Sequence, residues 1–117
     1  MKQARNHLAG LAAETSVLQR YLAAGHKLLA RRFRGMSGEI DLILAHGASV
    51  VFVEVKKSRS FDAAVARLGS AQIARIFDTA AEYLATHPGG QMTDSRFDVA
   101  LVNAHGEIEV IENALWA

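Results

Sequence analysis

Gly38 to Lys57 read GEIDLILAHGASVVFVEVKK, and the two halves of that stretch are strand-like. Gly38–Ala45 and Val50–Lys57 are rich in β-branched and aliphatic residues, and His46-Gly47-Ala48-Ser49 between them is small or polar enough to turn. The stretch is therefore a β-hairpin. Val50, Val51, Phe52, Val53 and Val55 make both faces of its second strand apolar, as in a central strand of a sheet. Glu54 and Lys56 interrupt one face at the end, and being two apart they project from the same side. A turn about Gly47 and Ala48 sets Asp41 opposite Glu54 and Glu39 opposite Lys56. In that register one face collects three carboxylates and one ammonium.

Two carboxylates facing each other across a strand pair repel, so the arrangement calls for compensation. A divalent cation such as Mg2+ supplies it, because such ions take oxygen ligands and are held by one or two carboxylates together with waters and substrate phosphates. Lys56 would then steady an attacking water or a developing phosphorane charge. The alternative is a Glu39–Lys56 cross-strand ion pair with Asp41 and Glu54 at a wet sheet edge. A one-residue register shift would put the two acids on opposite faces.

On the N-terminal side, Leu8, Leu11, Ala12, Thr15, Leu18 and Leu22 recur at helical spacing between Ala4 and Ala24, and Gly25 supplies the stop. KLLARRF, Lys27–Phe33, is a first strand, and Gly35, Ser37 and Gly38 bend the chain into the hairpin. On the C-terminal side a polar SRSFD stretch leads to an alanine-rich region. There Ile73, Ile76, Phe77, Ala80 and Leu84 form a second amphipathic helix, with Gly69 breaking its start and Ser70 as N-cap. His87-Pro88-Gly89-Gly90 ends it, and RFDVALV and EIEVI are two further strands around the turn Asn103–Gly106. The order is αβββαβ plus one strand, an α/β fold with a central mixed sheet flanked by two main helices.

At 117 residues, with 50% of them apolar, residues 1–117 fit one domain, without repeat or linker. The absence of cysteine excludes disulfides, thiol nucleophiles and cysteine-ligated zinc. The N-terminus lacks the apolar core of a signal peptide and no stretch approaches a membrane span, so the expected location is cytoplasmic, with no membrane partner. A net charge of +1 means that affinity for phosphate must come from local clusters. The five histidines show no paired ligand spacing, which argues against zinc. Phe52, Phe77, Tyr83 and Phe97 fall on periodic apolar faces and belong in a core.

GEIDLI, a short turn and VFVEVKKSRS together resemble the YraN-like family of bacterial proteins, placed in the restriction-endonuclease-like superfamily with the PD-(D/E)XK motif. The resemblance extends over LAAETSVLQRYLAAGHKLLARRFR, AQIARIFDTAAEYL and RFDVALV. It implies a restriction-endonuclease-like fold and phosphodiester hydrolysis or nucleic-acid binding, with Mg2+ or Mn2+ as cofactor. Asp41 matches the motif's first acid, Glu54 its second and Lys56 its lysine. Glu14 matches a first-helix glutamate that some relatives, archaeal Holliday junction resolvases among them, use as a further metal ligand. Gln72 stands where the second helix often carries lysine, and a glutamine can still orient phosphate or water, with Glu39 as a further auxiliary acid. Arg32 stands where the family commonly has asparagine.

Three functional classes follow. The first is a metal-dependent nuclease acting on DNA, branched or damaged structures included, with Arg31, Arg32, Arg34, Lys57 and Arg59 on the phosphates. The second is a catalytically inactive nucleic-acid-binding module of the same fold. The third, a homodimer or partner-binding protein, draws on the near-neutral charge and on Ala114-Leu115-Trp116, where Trp116 would cover a sheet edge or a partner.

Overall fold

The computed structural model describes residues 2–115, the side chains of residues 2–9, 61 and 65 excepted. Its sheet runs β1 (Lys27–Arg34), β2 (Glu39–His46), β3 (Ser49–Lys57), β4 (Ser95–Val102) and β5 (Ile108–Ile111), in that spatial order. All neighbours are antiparallel except β3 and β4. A parallel pair needs a crossover, supplied by α2 (Phe61–Arg67) and α3 (Ser70–Leu84). The long helix α1 (Lys2–Ala23) covers the opposite face. This mixed five-stranded sheet between helices is the expected α/β architecture, compatible with a restriction-endonuclease-like core.

The alternation of β3 divides the core in two. Val51 and Val53 pack with Leu42, Leu44, Ala100 and the α1 residues Ala13, Val17 and Tyr21. Val50 and Phe52 pack with Ile40, Ile43 and the α3 residues Ala80 and Leu84. Phe97 joins the second layer, stacking on Phe52 with ring centroids 5.0 Å apart and meeting Phe77 edge-on at 4.4 Å. The four aromatic residues expected in the core lie in this α3-side packing.

Three local expectations are corrected. The buried stripe of α1 is Ala13, Val17, Leu18 and Tyr21, while Thr15 and Leu22 face outward. Apolar spacing alone favoured Leu22, but Tyr21 reaches a buried partner on β4. The alanine-rich region holds two helices, since Ser60 Oγ accepts the N–H of Ala63 at 3.1 Å and so starts α2 as a hydroxyl N-cap does. The N-cap of α3 is Gly69, with no side-chain cap, and Ser70 is its first helical residue. At the C-terminal end Leu115 is buried against the α2–α3 side; Trp116 lies outside the described residues.

Candidate metal and nucleic-acid site

The hairpin turns about Gly47 and Ala48 as expected, with pairs running from His46–Ser49 to Leu42–Val53. The ladder then stops one step before Asp41 and Glu54, so the expected facing pairs Asp41–Glu54 and Glu39–Lys56 are not part of it. The carboxylate of Asp41 instead accepts the backbone N–H of Val55 at 2.8 Å, a donor that an unbroken ladder would give to the main chain of β2.

The break has a visible cause in the pleat. Ile40 and Ile43 face the same layer although they are three residues apart, and so do their β1 partners Phe33 and Ala30. Regular alternation puts residues three apart on opposite faces, so both strands lose their alternation together. On β1 the loss coincides with Arg32, whose φ of 52° lies in the left-handed region that L-residues enter at a cost. Arg32 stands between the pairs Arg31–Leu42 and Phe33–Ile40, which places it across from Asp41.

Because of that twist, two neighbouring arginines reach the same partner. Arg31 Nε and Arg32 Nε donate to Glu14 Oε1 at 3.3 and 3.2 Å. Arg31 also donates to Thr15 Oγ1 at 2.8 Å. Glu14 is thus no exposed flank charge, and its charge reaches Asp41, although among the described residues no three His, Asp or Glu side chains stand together as a metal-holding set. Glu39 pairs with Arg34, its neighbour on β1, at 3.0 Å rather than with Lys56. Lys56 makes no ion pair among the described residues.

Asp41 and Glu54 are nevertheless electrostatic neighbours. Burial, above all, pushes the Asp41 carboxyl up to about 6, with the Val55 N–H opposing and Glu14 adding to the rise. Burial also pushes Glu54 up to about 8, reinforced by the Asp41 charge and opposed by Lys56. Glu54 Oε1 is buried without a hydrogen-bond partner. An orphaned buried oxygen is costly, and the hard carboxylate oxygens of Glu54 and its neighbour Asp41 fit Mg2+ or Mn2+ better than any softer metal. Glu54 lies beside Val99 and Lys56 beside Leu101, so both project toward the α2–α3 layer.

Gln72 sits half-buried in the first turns of α3, and Arg59, Lys57 and Arg34 are exposed. Arg59 lines a shallow cleft of about 290 Å3 with Ser58, Asn103 and Glu107. Arg67 donates to the carbonyl of Lys57 at 2.7 Å and so ties α2 to the end of β3.

Two further groups escaped the pattern of the sequence. Asp98, fully buried on β4, accepts the Tyr21 hydroxyl at 2.7 Å, Arg96 Nε at 3.0 Å and the N–H of Asn113 at 2.9 Å. A charge inside the apolar run RFDVALV was the available signal. Glu82 on α3 accepts Met36 N, Ser37 N and Ser37 Oγ at 2.7, 3.0 and 2.6 Å, a contact across 45 residues that leaves no local trace.

Fold and hairpin together define an α/β protein consistent with the PD-(D/E)XK superfamily. The chain belongs to the uncharacterised protein family UPF0102, the YraN-like family, whose model matches residues 13–102. It is 56% identical over 110 residues to a UPF0102 protein of Ruegeria pomeroyi, covering 94% of this chain and 89% of that one. A UPF0102 protein of Cereibacter sphaeroides is 54% identical over 112 residues, covering 96% of each chain. One from Dinoroseobacter shibae is 43% identical over 109 residues, covering 93% of this chain and 81% of its own. No helix among the described residues is long and apolar enough to cross a membrane.

Proposed function

We propose that this protein is a cytoplasmic, metal-dependent nuclease that hydrolyses phosphodiester bonds in DNA, with branched or damaged DNA as its substrate. The observation that carries the reading is the electrostatic proximity of Asp41 and Glu54, both buried enough to be raised in pKa, with Glu54 Oε1 unpartnered among the described residues and Lys56 on the same strand face as Glu54. Asp41 and Glu54 would hold Mg2+ or Mn2+, which when bound supplies Lewis-acid stabilisation of a phosphoryl oxygen and a more acidic water. The Asp41 carboxylate is aimed by its bond to Val55 N–H. Lys56, without an ion pair among the described residues, orients the attacking water or meets the charge that develops on phosphate. Gln72 orients phosphate or water from α3, and Arg31, Arg32, Arg34, Lys57 and Arg59 bind flanking phosphates. Glu14 joins the metal ligands only after Arg31 and Arg32 release it, and Glu39 remains auxiliary.

A second reading, a catalytically inactive nucleic-acid-binding module, is favoured by the capture of Glu14 by two arginines. One panel separates them: labelled single-stranded, duplex, flapped and four-way junction oligonucleotides with Mg2+ or Mn2+. The nuclease reading expects metal-dependent products that fall about 100-fold or more in Asp41→Ala and Lys56→Ala proteins that remain folded. Products unchanged by either substitution come from a contaminant and sink it. Salt-sensitive binding without products at any metal concentration establishes the module instead.

A further inference from the structure

The turn between β1 and β2 presents an apolar side chain to solvent on a braced support. Met36 is 100% exposed, whereas its backbone is held firmly. Gly35 N–H donates to the Gly38 carbonyl at 2.8 Å, and the Glu82 carboxylate takes the N–H groups of Met36 and Ser37 and the Ser37 hydroxyl. A Cβ at Gly35 would strike Glu82 Oε2, so a side chain there would displace the carboxylate from the turn. Gly38 approaches α3 closely enough that a Cβ would lie 3.3 Å from Thr79 Oγ1. Turn tips ordinarily carry polar residues and move freely; here the backbone that carries an exposed, unbranched thioether is tied to α3.

That place is next to the candidate site. The turn joins the end of β1 to the start of β2, so it lies at the sheet end that carries Asp41, Glu54 and Lys56, the last two at the finish of β3. It leans toward α3, the layer toward which Glu54 and Lys56 project. Arg34, with its side chain 81% exposed and paired to Glu39, and the exposed Arg75 flank it, with the Glu82 carboxylate beneath, so the tip is apolar within a charge-balanced surround whose two arginines are open to phosphate. Apolar residues so placed are used by DNA-binding proteins as wedges between base steps.

We infer that Met36 is a wedge that enters an unstacked base step of DNA and directs the site to branched or distorted substrates. This rests on the nuclease reading above. An intact duplex charges a few kcal/mol for opening a step, whereas a branch point or mismatch has that step already loosened. The wedge therefore adds affinity for branched DNA and little for a linear duplex.

The test uses the full chain in Ca2+ with a four-way junction and a linear duplex of matched sequence. Each carries the fluorescent base 2-aminopurine, in the junction at the branch point. Binding is read by anisotropy and unstacking by the rise in 2-aminopurine fluorescence. The wild type should prefer the junction and raise its fluorescence. Met36→Ala should lower the junction-to-duplex affinity ratio about tenfold, the scale of one base–side-chain contact, and abolish the rise, and Met36→Phe should restore both. The Met36 side chain is fully exposed and its backbone bond to Glu82 is kept in both variants, so these variants stay folded. A ratio and fluorescence unaffected by Met36→Ala overturn the wedge and leave the nuclease reading standing; wild-type binding without junction preference overturns the wedge and the branched substrate, while metal-dependent cleavage still keeps the nuclease. No binding and no cleavage of any oligonucleotide overturns both.

Discussion

The Asp41 carboxylate accepts the N–H of Val55 at 2.8 Å just beyond the point where the β2–β3 ladder ends at Leu42 and Val53. One oxygen thus replaces a main-chain acceptor while the group's charge faces Glu54. Asp41→Asn keeps an acceptor and removes the charge, so without divalent cation at pH 8 it should be more stable than wild type. Asp41→Ala leaves Val55 N–H unpaired and should be about 1–2 kcal/mol less stable than Asp41→Asn. Urea titration of the three proteins checks the order, and equal midpoints for Asn and Ala would show that the bond contributes nothing.

The raised carboxyls set a pH dependence of unusual sign. A carboxyl whose folded pKa exceeds its unfolded value of about 4 binds protons on folding, so stability is greatest below that value and declines as pH rises through the folded pKa. For Asp41, raised to about 6, and Glu54, raised to about 8, the decline spans roughly pH 4 to 8. His26, lowered by burial, acts in the opposite direction, so the readout is wild type against Glu54→Gln in EDTA. Wild type should lose on the order of 2 kcal/mol more than Glu54→Gln between pH 5 and 8. Mn2+ should stabilise wild type more at pH 8 than at pH 6, because the metal competes with protons. Parallel pH curves would refute the shift.

Arg32 holds a φ of 52°, which costs an L-residue about 1–2 kcal/mol and an asparagine less. Its pair with Glu14 is partly exposed and worth about 0–1 kcal/mol. Arg32→Asn should therefore raise Tm by a few degrees, on the scale of about 1 kcal/mol. Arg32→Ala, which keeps the strain and loses the pair, should lower it. A calorimetric Tm for Arg32→Asn below wild type would mean that the ion pair outweighs the backbone cost.

Asp98 has three donors and no exposure. Asp98→Ala strands Arg96 and Tyr21 and should cost about 3–5 kcal/mol, as does breaking a buried charged network. Tyr21→Phe removes one hydroxyl and should cost about 1–2 kcal/mol. Chemical denaturation measures both, and a loss below that of Tyr21→Phe in Asp98→Ala would contradict the network.

Glu82 is held below the usual carboxylate range, first by the Ser37 hydroxyl and also by the N–H groups of Met36 and Ser37. A lowered pKa contributes stability above the unfolded value that is lost as pH falls through the folded one. Exchange of the Met36 and Ser37 amides should thus be slow near neutrality, relative to Glu82→Ala, and the difference should vanish in acid once the pH falls through the lowered pKa of Glu82. Equal protection in both proteins at pH 6 would remove Glu82 as the brace.

The hairpin and the helix–sheet order were legible because they rest on short-range periodicities: valine density in β3, a two-residue turn, and apolar spacing in α1 and α3. The register from His46–Ser49 to Leu42–Val53 followed from the turn alone. What pattern could not resolve begins where the pattern breaks. The α1 stripe was misplaced because Tyr21 is drawn inward by Asp98, and Ser60 starting α2 was hidden in a polar run.

By itself the sequence determined that Glu54 and Lys56 share a face of a central strand and that Asp41 sits near them, since alternation is a property of the chain. Only the tertiary structure decided that Asp41 turns to the Val55 N–H, that Glu39 and Glu14 are taken by arginines, and that Glu82 fixes the Met36 turn. Each of these is a competition among partners distant in sequence for one polar group. Such competitions are settled by burial and by hydrogen bonds that form only when the layers meet.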